Sequence, residues 1–211
     1  MAIVINGSGT VTGLAVGGLP DGTVDAGTLA TDSVDSAELI DGSIDTAHIA
    51  ANQITSAIMP AGHILQMVQA TIGTNTTTTT NGSWTDTASL LAITPSSTSS
   101  KILALVTTYI TVNNDASDVG FAIRLSRAIS GGSTTYPDSL TTDTHGQIGA
   151  MYRDANTSTY ETHQQCSIIG YDSPSTTSAT TYKVQMLGYS ANAIKNNNWG
   201  DTQITLIEIK G

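Results

Sequence analysis

Charged side chains are scarce in this 211-residue chain and unevenly placed along it. They make up 11% of the residues, against about 25% in an ordinary soluble domain. No lysine or arginine precedes Lys101, so all seven basic residues lie between Lys101 and Lys210, and the formal net charge is −10. An acidic chain without a basic patch lacks the cations that bind phosphates. We therefore expect no nucleic-acid partner and no attachment to an anionic membrane surface.

Cysteine is almost absent, and local metal-binding motifs are missing. The single cysteine, Cys166, excludes an intrachain disulfide. On a strand, its spacing of three from His163 points the two side chains to opposite faces, so we interpret Cys166 as a core residue. The other histidines, His48, His63 and His145, are too scattered to form a local metal site. We expect no catalytic residue, no metal and no cofactor.

Long apolar runs are missing as well. The longest uncharged apolar runs fall far short of the ~20 residues that a membrane-spanning helix needs. The chain does not open with a basic segment followed by an apolar one, as a secretory signal would. We expect neither insertion into a membrane nor secretion by that route.

A ten-residue repeat occupies residues 22–62, in the stretch GTVDAGTLATDSVDSAELIDGSIDTAHIAANQITSAIMPAG. Two apolar columns, five residues apart, keep their register through four units. The first column consists of Val24, Val34, Ile44 and Ile54, and the second of Leu29, Leu39, Ile49 and Met59. The same register continues to Ile64. A spacing of five fits neither a helical period nor the alternation of a half-buried strand.

The repeat indicates association with other copies of the chain. Each unit offers two apolar side chains, too few to offset an ordering cost of roughly 1–2 kcal/mol per residue in a single chain. Parallel copies could bury both columns along one axis. We assign to that axis Val24, Leu29, Val34, Leu39, Ile44, Ile49 and Ile54. The alternative is a flexible linker, because the segment is rich in Gly, Ser, Thr and Asp, but a linker has no reason to keep apolar residues in register.

Residues 63–211 show a different pattern, in which β-branched runs alternate with turn residues. The longest run is KILALVTTYITVNN, and later runs are GFAIRLSRAI, YETHQQCSIIGYD, ATTYKVQMLGYS and DTQITLIEIK. Clusters of Gly, Pro, Asn or Ser bound each run, and long helical periodicity is absent. The pattern predicts an all-β protein with a jelly-roll-like antiparallel β-sandwich as its head. We expect an N-terminal segment over residues 1–21, an extended shaft over 22–62 and the head over 63–211.

Both ends of the sequence resemble fibre proteins of bacteriophage virions. MAIVINGSGTVTGLAVGGLPDG followed by decads such as DGSIDTAHIA looks like the N-terminal part of tail-fibre and related virion fibre proteins. ILQMVQA, ITPSSTSSKILALV, DSPSTTSATTYKVQ and the terminal TLIEIKG are similar to the globular tip domain of such fibres. The resemblance implies a homotrimer with a trimeric shaft, made in the host cytoplasm and located on the virion. It also implies that residues 1–21 dock on other virion proteins while the head faces outward.

Receptor binding by such a head would require exposed loops on a rigid frame. Aromatic residues make up only 5% of the chain, so those in polar loops are the natural candidates for stacking on a sugar. One such loop is KNNNWGD, and another is the polar region 133–162. The candidate set is Trp199, Asn197, Asn198, Tyr136, Tyr152, Arg153, Asp154 and Tyr160. The alternative for Trp199 is a rim residue that anchors its loop, and we expect Trp84, at the start of a strand, in the core.

These features predict a homotrimeric virion fibre whose head attaches to a glycan or protein on the host surface. Two alternatives stay open at this point. A structural head fibre or collar appendage would recognise no receptor. A glycan-degrading spike would need two carboxylates about 5–9.5 Å apart in a cleft, and the sequence singles out no such pair.

Overall fold

Strands are the regular elements of the computed structural model, which describes residues 4–5, 11–12, 29, 39, 44, 47–51, 53–114, 120–137, 160–189 and 193–211. Within these residues there is no helix, and every pair of strands is antiparallel. The expectation of an all-β protein with antiparallel sheets is therefore confirmed. The chain divides into two units, Met1–Ile54 and Thr55–Gly211.

The first unit contains a short ladder and most of the repeat. β1 (Val4–Ile5) pairs with β2 (Val11–Thr12). Within this unit five members of the two apolar columns are described, and they are 39–57% exposed in the single chain: Leu29, Leu39, Ile44, Ile49 and Ile54. The sixth described member, Met59, belongs to the second unit and is half-buried. Val24 and Val34 lie outside the described residues. Burial of the columns on a trimer axis stays a prediction.

The second unit is built from two sheets, and the larger one has six strands. They are β3 (Ile64–Ile72), β4 (Thr76–Thr78), β6 (Lys101–Asn114), β9 (Tyr160–Asp172), β11 (Ala193–Asn196) and β12 (Thr202–Ile209). β9 pairs with one edge of β6, and β12 and β11 follow one another along the other edge. β3 then pairs with β12, and β4 with β11. β6 is thus the central strand of this sheet, with partner strands along both of its edges.

The smaller sheet has four strands. Their order is β5 (Thr85–Ile93), β10 (Thr180–Tyr189), β7 (Gly120–Ile129) and β8 (Thr134–Thr135). β10 is central and pairs with β7 along its full length. The ladder between β10 and β5 contains one irregularity, between Lys183 and Gln185.

A continuous apolar core lies between the two sheets, so the second unit is a β-sandwich. Alternation along each strand turns every second side chain inward. The larger sheet contributes Ile102, Ala104, Val106, Ile110, Ile168, Ile204 and Leu206, and the smaller one Phe121, Ile123, Leu125, Tyr182, Val184 and Met186. The same alternation leaves one outward face on each sheet. The finer assignment of the head to the jelly-roll type stays a prediction.

A partly buried ion pair joins the two sheets at one end of the sandwich. Arg127 Nη1 of β7 donates to both carboxylate oxygens of Asp172 of β9, at 2.7 and 2.9 Å. The hydroxyl of Tyr182, from β10, donates to Asp172 Oδ2 at 2.6 Å. Burial, together with this carboxylate, raises the pKa of Tyr182 far above its usual value, so the phenol remains a donor.

A second buried carboxylate, Glu208 of β12, holds the loop between β5 and β6. Gln66 Nε2 donates to its Oε2 at 2.6 Å. The backbone N–H and hydroxyl of Ser96 donate to its Oε1 at 2.7 Å, and Ser100 Oγ does so at 2.6 Å. Burial raises the pKa of Glu208, but these hydrogen bonds outweigh it, and the net pKa lies below the usual 4.5.

Replacing Glu208 with glutamine should destabilise the sandwich by about 2–3 kcal/mol, because the new amide would direct a donor at groups that are themselves donors. The lowered pKa means that the carboxylate contributes stability above pH 4.5 and loses it as pH falls through the folded-state pKa. Denaturant unfolding at several pH values should show a smaller loss of stability with falling pH in Glu208→Gln than in the wild type. An unchanged unfolding free energy at neutral pH would contradict the role given to Glu208.

Candidate functional site

The loop of residues 197–201 connects β11 and β12, which pair one after the other with the same edge of β6. The chain leaves the sheet after Asn196 and returns at Thr202. Asn197 has a φ of 60°, in the left-handed region that asparagine tolerates better than most residues. Its backbone N–H donates to the Tyr109 carbonyl at 3.0 Å. These two features fix where the loop turns away from β6.

Amide and hydroxyl groups beneath the loop form a buried hydrogen-bond network. Asn197 Nδ2 donates to the Thr74 carbonyl at 3.1 Å and to Ser89 Oγ at 3.0 Å. Thr202 Oγ1 donates to Asn197 Oδ1 at 2.6 Å, and Ser89 Oγ donates to Asn196 Oδ1 at 2.8 Å. These side chains are withdrawn from water, so each bond replaces one that the solvent would otherwise provide. The network holds the loop in one conformation.

Trp199 is exposed at the top of this loop, on the outward face of the larger sheet. The residue is 66% exposed. Its ring meets His163 edge-on, with centroids 5.4 Å apart, and the His163 ring stacks on Tyr109 at 6.2 Å. Thr111 Oγ1 and His163 Nδ1 share a hydrogen bond of 3.0 Å. Gly200 lies against Tyr109, where a Cβ atom would be 3.2 Å from the ring, so glycine lets the loop pass close over it.

Polar groups flank this aromatic row. Asn75 Nδ2 donates to Asn198 Oδ1 at 3.0 Å, next to Trp199 in the chain. Lys195 Nζ donates to Glu161 Oε1 at 2.9 Å. The hydrogen bond from Lys195 lowers the pKa of Glu161, so the carboxylate is ionised at neutral pH. The surface combines an exposed indole with amides and one ion pair, and we call it the Trp199 surface.

The structure brings together only part of the predicted receptor-binding set. Trp199 and Asn198 lie on the Trp199 surface. Asn197 is buried, so its amide supports the loop and does not face solvent. Tyr160 is the first residue of β9. Three further members lie outside the described residues: Tyr152, Arg153 and Asp154.

Tyr136 lies on the other side of the sandwich and shares no site with Trp199. There the guanidinium carbon of Arg124, on the outward face of β7, is 3.7 Å from the centre of the Tyr136 ring and 4.1 Å from that of Trp84. Trp84, expected in the core, is half-buried and faces this cation instead. Each cation–π contact of this kind contributes roughly 0.5–2 kcal/mol of stabilisation.

A depression of about 460 Å³ lies beside this stack, lined in part by Tyr136. Its polar groups satisfy one another: Asp86 accepts from Lys183 Nζ at 2.7 Å and from Gln185 Nε2 at 2.6 Å, and Gln185 Oε1 accepts from Arg124 Nε at 2.7 Å. Burial raises the pKa of Asp86, but these bonds outweigh it and lower the net pKa. The rings of Trp84 and Tyr136 already contact Arg124, and the nearby charged groups already have partners. The indole of Trp199, on the opposite face, is exposed.

His163, Tyr109 and Arg124 were not predicted as site residues. Each lies within a β-branched or polar strand, where period-two alternation indicates an outward position but not the neighbouring strand. The register that sets Thr111 opposite His163 is a property of the folded sheet. Alternation alone could have placed Tyr109 outward, but it could not have placed it under Trp199.

The described residues offer little support for other chemistries. Within them, no three His, Cys, Asp or Glu side chains lie close enough together to hold a metal ion. Cys166 is buried, and burial raises the pKa of its thiol to about 11, so the sulfur is a protonated core atom at neutral pH. The part of the chain that the structure describes also contains no helix with the length and hydropathy to cross a membrane.

Comparison with known proteins adds no family to these observations. No family model matches the sequence, and no curated protein matches it either. A functional assignment therefore depends on the sequence pattern and on the geometry of the Trp199 surface.

Replacing Asn197 with alanine should lower the free energy of unfolding by about 2–3 kcal/mol, because alanine is strained at a positive φ and leaves buried partners unsatisfied. The matched control is Asn198→Ala, at the next position, which removes one exposed hydrogen bond and should cost less than about 0.5 kcal/mol. Thermal and denaturant unfolding of both variants checks the difference. Equal stabilities would show that the network does not hold the loop.

Proposed function

We propose that this protein is a homotrimeric fibre protein of a bacteriophage virion. Residues 1–21 attach to other virion proteins, residues 22–62 form the trimeric shaft, and the head from residue 63 binds a glycan on the host surface. Support comes from the in-register decads, from the resemblance of both ends to virion fibre proteins, and from the β-sandwich of the second unit.

The single observation that carries the binding step is the exposed indole of Trp199 on a rigid loop. Covering a large apolar ring with a sugar face removes apolar surface from water, which lowers the free energy of the complex. Because Asn197 and its buried partners already fix the loop, binding would require little further ordering of the backbone. Preorganisation of this kind increases affinity by reducing the entropy lost on association.

The polar groups beside the indole suit a ligand rich in hydroxyl groups. Asn75 and Asn198 present amides, which both donate and accept hydrogen bonds. Lys195 and Glu161 add one donor group and one acceptor group within the same outward face. A sugar ring offers an apolar face for Trp199 and hydroxyls around its edge, so its chemistry matches this surface.

Binding fits the described carboxylates better than glycan cleavage does. A glycosidase needs a general acid whose pKa is raised. The pKa values of Asp86, Glu161 and Glu208 are instead lowered by their hydrogen bonds. Asp172 is buried and occupied by Arg127 and Tyr182. These four carboxylates therefore act as hydrogen-bond acceptors.

Trp199→Ala should reduce adsorption of the full-length protein to arrayed bacterial lipopolysaccharides and capsular polysaccharides by about tenfold or more, since each of three heads would lose its stacking surface. The matched control is Tyr136→Ala, which removes an aromatic ring from the opposite face and should leave adsorption unchanged. Unfolding midpoints measured in parallel should stay within about 2 °C of the wild type for Trp199→Ala.

Two results would contradict the receptor-binding proposal. If Trp199→Ala adsorbs as well as the wild type, the binding surface lies elsewhere. The second result is that the wild type adsorbs neither to any of the glycans nor to permissive cells. In that case the protein is a structural appendage without receptor recognition.

A further inference from the structure

The outward face of the larger sheet carries a second surface, which is apolar. It lies toward the end of the sheet at which the chain enters β3, beyond the aromatic row. We call it the apolar patch, and its members are Ile64, Met67, Leu103, Leu105, Ile169, Tyr171, Ile207 and Ile209.

Strand register makes the apolar patch continuous. Tyr171 lies opposite Leu103 in the ladder between β9 and β6. Leu103 lies opposite Ile207 of β12, and Ile207 lies opposite Met67 of β3. One row of apolar side chains therefore crosses four strands. Directly opposed residues on one face of a sheet are close enough to touch, so the row presents one unbroken surface.

Two shorter rows extend the apolar patch on either side. Ile169 lies opposite Leu105 in the ladder between β9 and β6, and Ile209 lies opposite Ile64 in the ladder between β12 and β3. Together with the central row, they cover this half of the outward face.

The exposed part of the apolar patch is large for a monomer surface. Ile64, Met67, Ile169 and Tyr171 are each 55–63% exposed. These four side chains alone present on the order of 500 Å² of mainly apolar surface, near the upper end of what single chains leave open. The outward face of the smaller sheet, by contrast, presents Arg124, Asp86 and Lys183. On that face Leu90 is exposed opposite Lys183, so the continuous row of exposed apolar residues belongs to the larger sheet.

The edge of the sheet beside the apolar patch is also open to pairing. Among the described strands, β9 is bonded along one edge only, to β6. It is 13 residues long, and long open edges invite association with another chain unless they are covered. Ile169 stands on this edge strand, so the same partner would cover both the edge and the patch.

The repeat leads directly into the apolar patch. Its five-residue spacing continues from Ile54 through Met59 to Ile64, which is both the next position of the register and a corner of the patch. Within the second unit, Lys210 Nζ donates to the carbonyls of Ser56, Ala57 and Met59. This contact fixes the path by which the chain enters β3.

We propose that the apolar patch packs against a second copy of this chain. Copies whose repeat columns associate hold their heads at a high effective concentration, which favours contact between their patches. A standard interface buries about 800 Å² on each partner, and the exposed apolar side chains with the adjoining strand edge provide an area of that order. The proposal shares with the proposed function the association of copies, but it does not depend on receptor binding.

Thiol accessibility in the full-length protein tests the interface directly. In a Cys166→Ala background, single cysteines are introduced by Met67→Cys and Ile169→Cys in the apolar patch. The control is Leu90→Cys, an exposed apolar position on the outward face of the smaller sheet. All three sites are open in a single chain, so labelling by a maleimide should differ little between them if no second copy covers the patch.

With a second copy on the apolar patch, Met67→Cys and Ile169→Cys should be labelled at least about tenfold more slowly than Leu90→Cys at micromolar concentration, and dilution should remove the difference by mass action. Native mass measured on the same samples must then be a multiple of the chain mass. Equal labelling rates at that concentration would overturn the proposal. If the same sample also has a mass of several chains, the copies associate through the repeat and not through the apolar patch. Slow labelling of a particle with the mass of one chain would mean that another segment of the same chain covers the apolar patch. That result would also overturn the proposal.

Discussion

Apolar side chains that a single chain cannot bury are the constraint on which the rest of the structure depends. They occur in the repeat, where Leu29, Ile44 and Ile54 are exposed, and in the head, where Ile64, Met67 and Ile169 are exposed. Water disfavours such surface in proportion to its area. The five-residue register of the first set continues through Met59 to Ile64, which is one corner of the second set. Exposed apolar side chains therefore follow one another from the repeat to the head, and the proposed parallel association of copies would bury them in both places.

The sandwich separates the surface proposed for association from the surface proposed to bind a ligand. β6 carries both on its outward side, with Leu103 and Leu105 in the apolar patch and Tyr109 under the loop. Sharing one strand keeps the two surfaces rigidly related, because β6 is bonded along both edges. The buried amides of Asn196 and Asn197 then anchor the loop to the sheet by hydrogen bonds. Repacking of the patch would reach the indole mainly as a rigid-body shift.

Much of the fold could be predicted from the sequence, because β-branched runs bounded by turn residues indicate strands without reference to the rest of the chain. KILALVTTYITVNN is such a run, and it is the central strand of the larger sheet. The position of Trp199 in a loop also followed from its run of asparagines. Neighbouring residues in that loop could not be ranked: Asn197 is buried and Asn198 is not, because a left-handed turn decides which amide faces the core. The stack of Arg124 between Trp84 and Tyr136 was likewise out of reach, since it depends on how distant segments meet.

Sedimentation equilibrium of the full-length protein across a range of concentrations tests the central claim most directly. Three copies per particle, or three times the chain mass of 21.7 kDa, is the result that the account predicts at micromolar concentration. Burial of the apolar columns and the apolar patch should hold that state until strong dilution. A folded particle with the mass of one chain at the same concentration would contradict it, because the exposed apolar register would then have no partner to cover it.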